Sequence, residues 1–168
     1  EASAVESGLV PLPGYHFVDW ILGEESTENE TFSAVEQEWV AQYLDGGGKL
    51  LVSGSEIAWD LDFKGTDSDR AFAQSYLHVA MMADDAETNA LANNISFDEG
   101  YAVDYPDLLL PQAGAEALWH YDNGGVAAVS WLGDFGVVTA GFPLETVSTA
   151  EARNMLMAQV RDTLAVNT

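Results

Sequence analysis

The sequence predicts an α/β domain: three layers, a mostly parallel sheet flanked by helices, with an antiparallel meander near the C-terminal half. Three observations carry that expectation. Apolar, strand-like runs occupy residues 15–22 and 49–53, a pattern of helical period and crossover length separates them, and Asp122-Asn123-Gly124-Gly125 marks a hairpin followed by a further strand. At 168 residues the chain has the length of a single domain, with room for a sizeable core.

Residues 1–14, small and then proline-punctuated, suit the tail of a crossover leading into a strand. Residues 15–22, YHFVDWIL, are apolar on both faces apart from His16 and Asp19, as in a strand covered on both sides. Ser33 followed by Glu36 forms a capping box, and Val35, Trp39, Val40, Tyr43 and Leu44 then recur at helical spacing up to a stop at Gly46. The strand at 49–53 closes a β-α-β unit, whose connection argues for a right-handed parallel crossover. Residues 60–69 read as a polar loop. Phe72, Tyr76, Leu77 and Ala80 mark a second helix, with Asp69 as its cap. Residues 81–100 read as irregular, and Pro106 and Pro111 keep the extended segment 101–111 out of a central strand. Strands at 117–121, 126–132 and 136–142 form the meander. Ser148 and Glu151 then read as a second capping box, ahead of a helix whose face is Ala152, Met155, Leu156, Val160 and Leu164.

Composition removes several functions. With 28 Asp plus Glu against 5 Lys plus Arg, the net charge is −23, so nucleic acid and anionic membrane surfaces are repelled. The excess fits either a surface adapted to high salt or a secreted domain that meets divalent cations. The absence of cysteine excludes disulfides, thiolate metal sites and a cysteine nucleophile. No apolar run approaches the ~18 residues of a membrane span, and no signal peptide stands in this stretch, so membrane insertion is not expected.

In open α/β sheets, ligands bind beyond the carboxyl ends of the strands. Three loops meet that description, and they would bring Glu24, Glu25, Gly54, Ser55, Glu56, Trp59, Phe142 and Glu145 to one crevice. Clustered carboxylates there could act as acid and base or hold a hard cation. Their plainer use is at helix N-termini, where negative charge is favourable.

On these residues the chain resembles a class I glutamine amidotransferase-like domain of flavodoxin-like architecture. The elbow LLVSGSEIAW and the late GFPLE carry the likeness. The longer phrase from DWILGEEST to YLDGGGKLLVSGSEIAWDLD is similar to the version found in large secreted bacterial proteins described as xanthan lyase-like or golvesin-containing. The resemblance implies an accessory or interaction module, extracellular or at the cell surface, whose partners are other domains of a larger polypeptide or another protein. It also implies a degenerate site. The family's elbow carries a cysteine where this chain has Gly54 or Ser55, and no histidine stands beside Pro143, although Glu145 matches the family's acid. The family domain further begins with a strand and helix that do not precede Glu1 here.

Other uses of the residues stay open at this stage. Ser55, Glu56 and Glu145 could form the edge of a hydrolase or lyase-like enzyme, although SGSEI lacks the second glycine of a nucleophile elbow. His16, near the start of its strand, His78, on a helix, and His120, beside a hairpin turn, are not placed to serve Ser55. Asp60, Asp62, Asp67 and Asp69 suggest calcium, but Lys64 and Ala71 break the EF-hand pattern. Trp59, directly after the elbow, suggests a carbohydrate or small-ligand module. An enzyme requires Ser55, Glu56 and Glu145 to converge in an open pocket. A silent module disperses them, or fills the space with Phe142, Leu144 and Trp59. Cytoplasm of a salt-adapted organism is the alternative location.

Repulsion among so many carboxylates is screened over roughly 10 Å at 0.1 M salt and more tightly at molar salt. The melting temperature should therefore rise between dilute buffer and molar potassium chloride; a flat or falling Tm would remove salt screening from the account of stability.

Overall fold

The computed structural model describes residues 2–112 and 114–166. A five-stranded mixed sheet forms its centre, in the order β1 (Val18–Gly23), β2 (Lys49–Gly54), β7 (Gly136–Ala140), β6 (Val126–Leu132), β5 (Glu116–His120). β1, β2 and β7 run parallel, while β7, β6 and β5 form the antiparallel meander. A separate antiparallel pair joins β3 (Val79–Ala83) to β4 (Leu108–Pro111), so the proline-flanked segment indeed stays out of the central sheet.

Side-chain alternation distributes β2 and β7 between two apolar clusters. Leu50, Val52 and Val137 enter a cluster with Val40 and Leu44 of α2 (Ala34–Asp45) and Phe72 of α3 (Asp67–Ser75). Leu51, Val138 and Ala140 enter the other, with Leu156 and Val160 of α4 (Ala150–Thr163) and the aromatics Phe97, Tyr121 and Phe142. These central strands are therefore covered on both faces, which explains their continuous apolar sequence.

Local signals set the boundaries. Ser33 caps α2 in a reciprocal box with Glu36, and Gly46 ends it, although Val35 on that helix stays 44% exposed. In the hairpin, Gly124 N–H donates to Tyr121 and Gly124 alone takes a positive φ, 91°; Asn123 does not, so the loop is a turn plus a left-handed glycine.

Several expectations are corrected. Described residues of the N-terminal segment form a short helix α1 (Ala2–Glu6) and a 3₁₀ turn (Leu12–Gly14), with Glu1 outside the described residues. β1 lies at the sheet edge, and Asp19 and Ile21 on one of its faces are largely exposed. The polar loop after β2 contains a π-helical turn, Trp59–Lys64. Thr66 rather than Asp69 caps α3, Asp69 serving as the partner of its capping box at the third helical position. That helix ends at Ser75, so Leu77 and Ala80 lie beyond it. The final helix starts one residue late, on Thr149, whose side chain accepts the Ala152 amide. Ser148 instead pairs with Ser96 across 52 residues of sequence, a partner that local spacing does not reveal.

Candidate functional site

The carboxyl ends of β1, β2 and β7 do meet, and backbone hydrogen bonds stitch them together. Ser55 N–H donates to Gly23 O (2.9 Å), and Asp107 N–H lies within reach of both Ser55 O (2.9 Å) and Gly141 O (2.8 Å). The Tyr121 hydroxyl reaches Asp107 O and Gly141 O, each at 3.0 Å. Gly141 is required for this approach, because a Cβ there would stand 2.5 Å from Asp107 O. The first turn after the elbow is held by the Asp107 side chain, whose Oδ2 accepts the Ala58 amide at 2.6 Å.

This seam is closed rather than open. Ser55 is 0% exposed and its Oγ has no hydrogen-bond partner. Phe142, also 0% exposed, stacks on Phe97 with ring centroids 4.6 Å apart, and Leu144 is buried beside that cluster. Gly54 is buried against Leu22 and Ile57.

The glutamates point to separate partners. Glu56 Oε2 accepts from Ser26 Oγ at 2.5 Å; Glu145 Oε1 accepts from Tyr101 at 2.7 Å, and its Oε2 is buried without a partner. Glu24 Oε1 accepts the Asp104 amide at 3.2 Å, and Glu25 is exposed. Partial burial raises the Glu56 pKa, and the charges of Asp84, Asp60 and Glu24 add to the rise against the Ser26 hydrogen bond. Burial likewise raises Glu25, with help from Glu36. Ser55 shares no hydrogen bond with Glu56 or Glu145, so the elbow serine has no carboxylate partner.

Trp59 is half-buried and stacks on Phe63 at 4.9 Å, with the Lys64 ammonium 4.7 Å above the Trp59 ring. Three of the four loop aspartates accept hydrogen bonds from other parts of the chain, and the fourth, Asp67, is exposed. Asp60 accepts from Thr31 N and Oγ1, and Asp62 from Gln74 and the Met81 amide. Asp67 pairs with Arg70 at 3.2 Å. Asp69 accepts from Thr66 and Gln37: burial alone would raise its pKa, but these hydrogen bonds and the Arg70 charge outweigh it and lower the carboxyl. Among the described residues, no group of three or more His, Asp or Glu is placed to hold a metal ion.

His78 is corrected as well. It sits at a positive φ, 56°, just before β3, and stacks on Trp131 at 4.4 Å instead of lying on a helix. Sequence reasoning missed Asp107, Tyr101 and Tyr121. Their one visible signal was an acid, Asp107, set directly before the apolar run Leu108-Leu109-Leu110.

Comparison with known proteins adds fold information. No protein-family model matches the chain, and no curated protein matches it in sequence. Among solved structures, it is similar to the exo-beta-1,4-mannosidase Op5Man5 from Opitutaceae bacterium strain TAV5, with a TM-score of 0.52 and 15% identity over 92% of this chain. The chain spans 26% of that protein's length, so the likeness concerns one part of a larger molecule and its fold alone.

The Asp107 carboxyl is driven well above the ordinary range by burial; the Glu56 and Asp84 charges push the same way, and the Ala58 and Trp59 amides oppose them. An unfolded aspartate ionises near pH ~4, so this group contributes stability below that pH and loses it as pH rises through the folded pKa. Asparagine can still accept the Ala58 amide and does not titrate. Asp107→Asn should gain on the natural protein between pH 4 and 7, by about 1 kcal/mol or more in urea unfolding; a difference that stays constant over this range would contradict a neutral, buried Asp107.

Proposed function

We propose that the chain is a non-catalytic accessory or interaction module of a larger secreted or surface protein. In this reading it is a three-layer, flavodoxin-like domain of amidotransferase type whose catalytic edge has been converted into packing. The observation that carries the reading is the fully buried Ser55, whose hydroxyl meets no base. Activated nucleophiles need a base within about 3 Å and a route for substrate. The separate partners of Glu56 and Glu145 support the same conclusion. No metal or cofactor belongs to this reading, and the acidic surface serves solubility in salt.

A ligand-binding module is the second reading, favoured by Phe63, which is 55% exposed beside Trp59 at the same edge. A sugar could stack there only after the Lys64 ammonium left the Trp59 ring. Incubation with a fluorophosphonate probe and, separately, with L-glutamine tests the first reading. The expected outcome is an unmodified Ser55 by mass spectrometry and no ammonia release, whereas a Ser55 adduct or glutamine turnover would reinstate an enzyme.

A further inference from the structure

The sheet has two edges, and they are finished differently. β5 is irregular, with register shifts on both sides of Trp119, and its end is covered where the Ala92 amide donates to His120 O (2.9 Å). Bulges and covering segments are how edge strands avoid further pairing. β1 is regular from Val18 to Ile21 and pairs on one side only, with β2, among the described residues. It contains no proline or lysine.

Alongside β1 runs a groove of about 440 Å³, between the strand and the N-terminal segment. It is lined both by apolar side chains, including Leu12, Tyr15, Phe17, Trp20 and Ile21, and by the acids Asp19 and Glu25. Tyr15 and Ile21 are 53% and 56% exposed. Glu145 lies close enough to Asp19 to raise its pKa in addition to the effect of burial, so negative charge gathers on this side.

Resting on the reading of the chain as an interaction module, we propose that β1 accepts an added strand: an extended segment of another polypeptide in which apolar residues alternate with lysine or arginine. Backbone groups of β1 would pair with the segment; its cations would lie on the face of Asp19, which Ile21 shares, with Glu25 just beyond the strand, and its apolar side chains would lie on the opposite face, that of Val18 and Trp20. Charge decides against a second copy of this chain as the occupant. Each copy carries −23, and antiparallel pairing of two β1 strands would bring their Asp19 and Glu25 carboxylates toward one another.

The probe is an acetylated, amidated octapeptide of alternating valine and lysine, added at 0.3 M salt to limit unspecific attraction, with amide hydrogen exchange read residue by residue. The expected result is at least tenfold slower exchange at outward-facing amides of β1. A peptide of equal charge with proline at alternate positions should give none. In Asp19→Lys/Glu25→Lys the preference should pass to a valine–glutamate peptide. Absence of protection, equal protection by the proline peptide, or concentration-dependent β1 protection with dimer in sedimentation would each overturn the proposal. A fluorophosphonate adduct at Ser55 would instead overturn the module reading beneath it, so the two failures are distinguishable.

Discussion

Asp107 is the residue on which the carboxyl edge of the sheet depends. Its amide reaches the carbonyls at the ends of β2 and β7, its carbonyl accepts from Tyr121 on the far side of the hairpin, and its carboxyl holds the turn after the elbow. One buried acid therefore joins segments that lie from 14 to 52 residues away along the chain. An unpaired buried carboxylate would cost several kcal/mol, and the site meets that constraint by favouring the neutral form and supplying backbone donors.

The consequence for chemistry is direct. A strand-to-helix elbow presents a reactive side chain only where the turn leaves it at an open crevice. Here Ser55 and Asp107 are both fully buried, and the Asp107 amide lies on Ser55 O. The acidic residues around the rim, Glu24, Glu56 and Glu145, accept from Asp104, Ser26 and Tyr101 and so fasten the surrounding loops. Asp60, Asp62 and Asp69 do similar work, tying the π-helical turn and α3 to their neighbours. Charge that looks like a cation site in sequence is in large part internal fastening.

What the sequence made legible was local. The Ser33–Glu36 box, the Gly46 stop, the Asn-Gly hairpin and the paired strands all follow from residues within a few positions of each other. The misread elements depend on distant partners: Ser148 turns to Ser96 and leaves Thr149 to cap α4, and His78 leaves helical geometry to lie against Trp131. β1 read as doubly covered because its composition matches β2, yet edge and centre differ only in what packs against them. The loops after β1, β2 and β7 could be located from sequence, since strand ends follow from strand assignment. Their closure could not be read, because it rests on Asp107, 52 residues beyond Ser55.

The account stands on the claim that this edge is a closed seam, and amide hydrogen exchange at Asp107 tests it most directly. Its N–H, shared between Ser55 O and Gly141 O, should exchange only through global unfolding, with an opening free energy equal to that of the whole domain. Exchange as fast as at the exposed residues Glu24 and Glu25 would show that the seam opens in the native state and would return the crevice, with Ser55, to solvent.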